Sequence, residues 1–349
     1  MLLSLTGMAM VVIAGELIVR FGSFGPDVFS LQRGMIRISD HPSLRYELVP
    51  HYVSPRRDIT INRHGMRHPP VETAKNEDSF RVALIGDSIA FGMGAGQEEH
   101  LAIAIMREAA ARPFATRIEA LNFGVPGYNI EQVATSLETK VAPFEPDHIL
   151  YIYCLNDPQE FSRELEVLLR QSEISSAERD YLHRLWQAST SPLGGSKLWM
   201  LIRYRIASWR TSATPEPSPI IDDMHRILHG EAESYYHTLY RRATAISRLE
   251  QGLDDLATWS RDHQTPVSLV IVPLFIELDA YPFLALHEIV TTMAAERNLT
   301  VLDLLSAFQD LGKGGWKEVH ADPIHPNRKG YALIAKHLVD WITTEIIQP

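Results

Sequence analysis

Cysteine is almost absent from this sequence of 349 residues, in which Cys154 is the only one. A single thiol cannot form an internal disulfide, and it excludes a zinc site built from several cysteines. It does not indicate a cellular compartment, because a chain of this length can bury a core that needs no disulfide.

Basic residues are also in the minority, with 33 Lys and Arg against 43 Asp and Glu and a net charge of −10. Nucleic-acid binding needs a concentrated basic surface, so we expect no nucleic-acid partner. Hydrophobic residues make up 45% and charged residues 22% of the chain, as in ordinary globular proteins. This composition excludes a disordered chain, a collagen-like repeat and a polytopic membrane protein.

Nucleotide and metal motifs are missing as well. The glycines at 92, 94 and 96 do not keep the GxGxxG spacing, and neither a GxxxxGK loop nor HExxH occurs. A metal site built from His320, Asp322 and His325 is the remaining alternative, but it lacks thiolate ligands. We therefore predict no cofactor and no metal.

The N-terminus carries no charge from Met1 to Gly15, and Glu16 is the only charged residue before Arg20. A spanning helix needs about 20 apolar residues. A cleavable signal peptide typically has a basic start and a small-x-small cleavage site, and neither is present here. We expect residues 1–21 to form a hydrophobic helix that anchors the chain in a membrane, rather than a signal peptide or a buried helix.

Five short apolar runs are continuous rather than alternating, which is typical of strands buried on both faces. They occupy residues 81–86, 117–123, 148–154, 267–273 and 299–303. Stretches with helical spacing lie between or after them, at 97–112, 130–142, 282–297 and 328–347. Strands that alternate with helices predict an α/β fold: a three-layer α/β/α arrangement around a parallel sheet of about five strands.

The alternation stops between Pro158 and Pro266, where a helical insertion is broken by glycine- and proline-rich segments at 191–196 and 214–219. Because the insertion 158–265 follows the third strand, we expect it near the carboxyl ends of the strands as a lid or cap. The predicted organisation is an anchor at 1–21, a lead-in at 22–79 packed on the core, and a main domain at 80–349.

Polar residues follow each of the first three strands. Ser88 stands at a strand-to-helix turn, which would project its hydroxyl above the sheet and leave its N–H free for an anion. Gly127, after the second strand, permits a positive φ and an accessible N–H, although a turn alone explains it equally well. Asn156, after the third strand, offers two side-chain donors, with a purely structural turn as the alternative.

A fourth polar segment, 320–327, precedes the last helix. Asp322 stands three residues before His325, in a stretch stiffened by Pro323 and Pro326. At this spacing the carboxylate can reach the imidazole, fix its tautomer and leave the other nitrogen to take a proton from a serine.

Together, in this order, the four segments resemble the SGNH or GDSL-type hydrolases, which are named for a Ser, a Gly, an Asn and a His. The matching blocks are GDSIAFG, NFGVPGYN, CLND and DPIHPN. The segments YELVP and ITINRHGMR resemble the lead-in of bacterial members that carry a membrane helix. Two positions depart from the pattern: Ile89 replaces the leucine of GDSL, and Cys154 replaces the usual glycine of the third block.

The resemblance implies an SGNH, flavodoxin-like fold and a Ser88–His325–Asp322 triad. It also implies an oxyanion hole formed by Ser88, Gly127 and Asn156. Asp87 and Asp157 are expected to support these residues.

The implied function is a serine-dependent ester hydrolase, either a carboxylesterase or a carbohydrate-ester deacetylase, acting on a small-molecule or glycan ester. An O-acyltransferase on a cell-surface or exported glycan is the main alternative. A non-catalytic, membrane-tethered glycan-binding or assembly factor is a third. From the expected anchor and the resemblance together, we expect the catalytic domain to lie outside the cytoplasm, in the periplasm.

Overall fold

The computed structural model describes residues 2–22, 31–56, 58–113, 116–160, 162–171, 175–189, 196–210 and 231–347. The chain divides into two compact units. The smaller unit comprises residues 1–47 and 165–218, and the larger unit comprises residues 48–164 and 219–349. The predicted insertion 158–265 is therefore shared between the two units.

The strands, numbered in chain order, are β1 (Gln32–Arg33), β2 (Ile36–Ile38), β3 (Tyr46–Leu48), β4 (Ser79–Gly86), β5 (Arg117–Asn122), β6 (His148–Tyr153), β7 (Val267–Ile271) and β8 (Thr300–Asp303). The helices are α1 (Leu2–Phe21), α2 (Ser88–Phe91), α3 (Leu101–Ala110), α4 (Ile130–Ser136), α5 (Arg163–Gln171), α6 (Ser176–Ser189), α7 (Lys197–Arg210), α8 (Ala232–Leu239), α9 (Ala243–His263), α10 (Leu284–Ala295), α11 (Leu305–Gln309) and α12 (Arg328–Trp341). Single π-helical turns at Leu137–Val141 and Ile342–Ile347 continue α4 and α12.

The core of the larger unit is a five-stranded sheet with the order β5-β4-β6-β7-β8, in which all neighbouring strands are parallel. Every residue of β6 and β7 is buried, so both faces of the sheet are covered. The α/β fold with a parallel sheet of five strands is thus confirmed. The continuous apolar runs of the sequence arise because these strands expose neither face to water.

The helices of the larger unit pack in pairs beside the sheet: α3 contacts α12, and α4 contacts α9. In α12, Tyr331, Ile334 and Leu338 are fully or almost fully buried, as their helical spacing predicts. The helix predicted at 328–347 ends at Trp341 and continues only as the π-helical turn.

The smaller unit contains α1, the antiparallel pair β1–β2 with β3 beside β2, and helices α6 and α7 packed on each other. Glu16 of α1 accepts hydrogen bonds from the backbone N–H groups of Lys197 and Leu198, at the start of α7. Burial alone would raise the pKa of Glu16, but these donors, Ser196 and Arg20 hold it at about 2. The acidic residue that interrupts the apolar N-terminal run therefore caps a helix.

The sequence led us to expect a membrane-spanning anchor over residues 1–21. Within the part of the chain that the structure describes, none of the helices combines the length and the apolar character needed to cross a bilayer. The expected anchor is therefore not supported. The breaks expected at 191–196 and 214–219 lie outside the described residues except for Ser196, which precedes α7.

Candidate active site

Ser88 is the first residue of α2, directly after β4. The turn requires Gly86, whose φ is +143° and whose missing Cβ would lie 2.5 Å from the backbone oxygen of Ile152 on the neighbouring strand. Asp87 caps α2 by accepting the Ile89 N–H at 2.9 Å. This sharp turn projects the Ser88 side chain into a cavity at the carboxyl edge of the sheet, where the sequence predicted it.

His325 lies between Ser88 and Asp322. Its Nε2 is 2.9 Å from Ser88 Oγ, and its Nδ1 is 2.7 Å from Asp322 Oδ2. The carboxylate also accepts the backbone N–H groups of Ile324 and His325 at 2.8 and 2.9 Å, so it shapes the loop that carries the imidazole. The structure thus brings together the three residues that the sequence singled out from opposite ends of the main domain.

The protonation states of this group follow from its contacts. Burial by itself raises the pKa of Asp322, but the hydrogen bonds and charge of His325 and the two backbone donors lower it below the ordinary value. Asp322 is therefore ionised at neutral pH and accepts the proton on His325 Nδ1. Nε2 then has a lone pair directed at the hydroxyl of Ser88, as general-base catalysis requires.

Gly127 and Asn156 line the same cavity as Ser88 and His325. Gly127 has a φ of +76°, and a Cβ there would lie 2.1 Å from Glu164 Oε2, so the loop requires glycine at this position. In the described part of the chain, the N–H groups of Ser88 and Gly127 donate to no protein acceptor. Asn156 donates one of its two amide hydrogens to Asp87 Oδ2 at 3.0 Å, so its second amide hydrogen remains available to a ligand.

Asp87 and Asp157 lie fully buried beneath the cavity. Burial raises the pKa of Asp87, while hydrogen bonds from Ile89 and Asn156 oppose the shift. Burial raises the pKa of Asp157 further, and the nearby charge of Asp87 adds to this effect. Asp157 accepts the hydroxyl of Tyr151 at 2.6 Å. Both aspartates therefore hold the strand ends, and Asp87 also orients the amide of Asn156.

His320 contacts its own loop and two aromatic rings. Its Nδ1 is 3.0 Å from the backbone oxygen of Asp322, and its ring stacks between Phe275 and Trp316. No cluster of three or more potential metal ligands occurs among the described residues.

Several cavity residues were not singled out from the sequence, and they come mainly from the insertion: Gln159, Ser162, Arg163, Glu164 and Tyr236. The first four follow Asn156 closely, so their proximity to the third strand end was a signal that could have found them. Tyr236 is 80 positions from Asn156 in the chain, and no motif marks it. All of them belong to the larger unit.

Comparison with family models matches residues 84–333 to the GDSL-like lipase/acylhydrolase family. This range contains all the residues of the predicted triad and oxyanion hole. A search of curated proteins finds no match.

The chain is also similar to solved structures at low identity. A lipase/acylhydrolase from Enterococcus faecalis is 16% identical with a TM-score of 0.42, over 75% of this chain and 94% of that one. A lipolytic protein described as putative, of the G-D-S-L family, from Desulfitobacterium hafniense is 12% identical with a TM-score of 0.40, over 75% and 99%. A catalytic mutant of an acetylxylan esterase from Geobacillus stearothermophilus is 14% identical with a TM-score of 0.44, over 78% and 98%.

Proposed function

Since the chain belongs to the GDSL-like lipase/acylhydrolase family and is an ester-bond hydrolase, we propose that it acts through an acyl-enzyme formed on Ser88. The observation that carries this proposal is the continuous contact from Asp322 through His325 to Ser88, at 2.7 and 2.9 Å. Such an arrangement activates a serine that is otherwise a weak nucleophile.

In the first half-reaction, Ser88 Oγ attacks the ester carbonyl carbon and its proton passes to His325 Nε2. Asp322 stabilises the imidazolium that forms. The tetrahedral intermediate then collapses: the bond to the alcohol oxygen breaks, and His325 returns the proton to that oxygen. The products of this step are the free alcohol and acyl-Ser88.

In the second half-reaction, His325 takes a proton from water, and the resulting hydroxide oxygen attacks the acyl-enzyme. Collapse of the second intermediate releases the carboxylic acid and returns the proton to Ser88 Oγ. In both intermediates the negative oxygen would be stabilised by the N–H groups of Ser88 and Gly127 and by the remaining amide hydrogen of Asn156. Such donors act in a site where water is excluded, and each is worth roughly 10²–10³ in turnover.

Replacement of the nucleophile tests the proposal. We expect Ser88→Ala to abolish both ester hydrolysis and covalent labelling by a fluorophosphonate, because it removes the hydroxyl that forms the acyl intermediate. The labelled peptide is identified by mass spectrometry, with Ser136→Ala as a control because this buried serine lies outside the cavity lining. Labelling that persists in Ser88→Ala would contradict the assignment.

A product assay distinguishes hydrolysis from acyl transfer, since both reactions pass through the same acyl-serine. With an acetylated donor and a sugar acceptor present together, release of free acetate that exceeds acetyl transfer supports the hydrolase. Transfer that outpaces acetate release would assign the enzyme as an O-acyltransferase.

We further propose that the enzyme works outside the cytoplasm. The uncharged N-terminal stretch and the resemblance to bacterial members that carry a membrane helix support this location. Protease added to spheroplasts digests an extracytoplasmic protein and spares a cytoplasmic one.

A further inference from the structure

The cavity side chains without a role in the proposed acyl-transfer chemistry include Arg163, Glu164 and Tyr236, which we call the insertion wall. We propose that the insertion wall binds the alcohol part of the ester and selects an uncharged alcohol that carries several hydroxyl groups, such as a sugar. The inference rests on the proposed ester hydrolysis at Ser88, and it concerns which ester is cleaved.

Glu164 has a carboxylate that faces the cavity without a protein partner. In the described part of the chain it forms no ion pair or side-chain hydrogen bond, and only its own backbone N–H contacts it. Its Oε2 lies directly against Gly127, where a Cβ would approach it to 2.1 Å. The carboxylate is therefore beside the expected oxyanion hole, within reach of a bound ester.

The surroundings of Glu164 make it a strong acceptor. Burial raises the pKa of its carboxyl group, while the charges of Arg163 and His325 lower it. A partly desolvated carboxylate with unused lone pairs gains most from donors that arrive with a ligand. Hydroxyl groups are such donors, and two neighbouring hydroxyls of a sugar can satisfy both carboxylate oxygens.

Tyr236 supplies a second unsatisfied group. The residue is completely buried, yet its hydroxyl has no hydrogen-bond partner among the described residues. The ring packs edge-to-face against Phe283, with the ring centroids 5.6 Å apart. A buried hydroxyl without a partner is unfavourable unless a ligand or water satisfies it. Since Tyr236 lines the cavity, a hydroxyl of the substrate can do so.

The charges of the wall decide which alcohol fits. Arg163 lines the same cavity as Glu164, so the wall holds one positive and one negative side chain. A cationic alcohol such as choline would be attracted by Glu164 but repelled by Arg163, and an anionic alcohol such as a uronic acid would meet the reverse, so the pair offers neither alcohol a net attraction. An uncharged polyol can donate to the carboxylate and accept from the guanidinium at the same time.

A selectivity ratio tests the inference: kcat/KM for an acetylated xylo-oligosaccharide divided by kcat/KM for p-nitrophenyl acetate, whose alcohol has no further hydroxyl. We expect Glu164→Gln and Tyr236→Phe each to lower this ratio about tenfold, since the first replaces a charged acceptor by a neutral amide and the second removes a hydroxyl that can bind the sugar. Glu160→Gln and Tyr240→Phe are matched controls outside the cavity lining, and we expect them to keep the ratio of the native enzyme.

The native enzyme is also assayed with acetylcholine and with an acetylated glucuronic acid. We expect both to be poorer substrates than the acetylated neutral sugar. A preference for either charged ester, or an unchanged ratio in both Glu164→Gln and Tyr236→Phe, would overturn the inference. A different result would contradict the proposed function itself: ester hydrolysis that persists in Ser88→Ala.

Discussion

At the scale of single residues, Asp322 has two tasks that can be separated. Its Oδ1 accepts the backbone N–H groups of Ile324 and His325 and so shapes the loop. Its Oδ2 faces His325 Nδ1 at 2.7 Å and supplies the charge that a protonated imidazole needs. The oxygen of a neutral amide can still accept the two backbone N–H groups, but it cannot supply the negative charge.

We therefore predict that Asp322→Asn leaves the fold intact and lowers kcat by roughly 10³–10⁴-fold, because the amide favours the wrong tautomer of His325. Steady-state kinetics on a simple ester measure the loss, and circular dichroism checks the fold. Asp310→Asn, at an exposed position outside the cavity, serves as the control. A rate within threefold of the native enzyme would remove Asp322 from the mechanism.

Residue types and spacing explain why the positions of Ser88, His325 and Asp322 in the site were predictable. Asp322 and His325 are three positions apart, so their contact is local and the sequence could indicate it. Ser88 follows a buried strand at a glycine turn, which also has a local signature. Glu164 and Tyr236 have no such signature, because an isolated Glu or Tyr in a helical segment is most often solvated or packed. Only the fold shows that both line the cavity that contains Ser88.

At the scale of elements, the contact between α4 and α9 depends on Gly252 in the middle of a long helix. Glycine normally weakens a helix interior relative to alanine by about 1 kcal/mol. Here a Cβ would lie 2.5 Å from Ile130 Cγ1 of α4, closer than atoms can approach. Close packing of the two helices therefore outweighs the helix propensity of alanine.

We predict that Gly252→Ala lowers the free energy of unfolding by about 1–3 kcal/mol, although it introduces a better helix former. Urea unfolding followed by circular dichroism measures the change. Adding Ile130→Ala to the variant removes the atoms that clash, so the second substitution should cost less in the Gly252→Ala background than alone. Stabilisation by Gly252→Ala would show that the helices can separate freely.

The elements themselves were predicted with unequal success. The strands of the sheet differ from their predicted bounds by at most two residues, because each is a short apolar run that must be buried on both faces. The apolar N-terminal run also folds as a helix, but the expectation that it spans a membrane is not supported. Its one acidic residue, Glu16, caps α7 from 181 positions away in the chain, a contact that no local pattern shows.

At the scale of the whole molecule, stability toward acid depends on buried histidines. Burial lowers the pKa of His100 to about 3 and that of His148 to about 4, from the ordinary 6.5. Each ring also has one buried nitrogen without a partner among the described residues, so a proton there would not be hydrogen-bonded. The folded protein therefore keeps both rings neutral.

We predict that stability falls as pH decreases from about 6.5 toward 4. In this window the unfolded chain binds protons that the folded chain does not, so protonation favours unfolding. The loss between pH 7 and pH 5 should be about 1–2 kcal/mol for each histidine. Urea unfolding at the two pH values measures it.

His148→Gln should reduce this pH dependence, and it can keep a hydrogen bond to Ser268, which lies 2.9 Å from His148 Nε2. His41→Gln, at an exposed position, should leave the pH dependence as it is. Equal pH dependence in the native protein and in His148→Gln would mean that this ring does not stay neutral in the fold.

The sequence alone determined the α/β class and the parallel sheet, and it indicated the candidate reactive residues. Buried strands, strand-end turns and an Asp–His pair are short-range patterns, and their composition and spacing reflect the physical requirement directly. The tertiary structure decided which insertion residues reach the cavity, how Glu16 is used, and how Gly252 and the buried histidines contribute to stability. These depend on contacts between residues far apart in the chain, and such contacts exist only once the burial of apolar surface has brought the elements together.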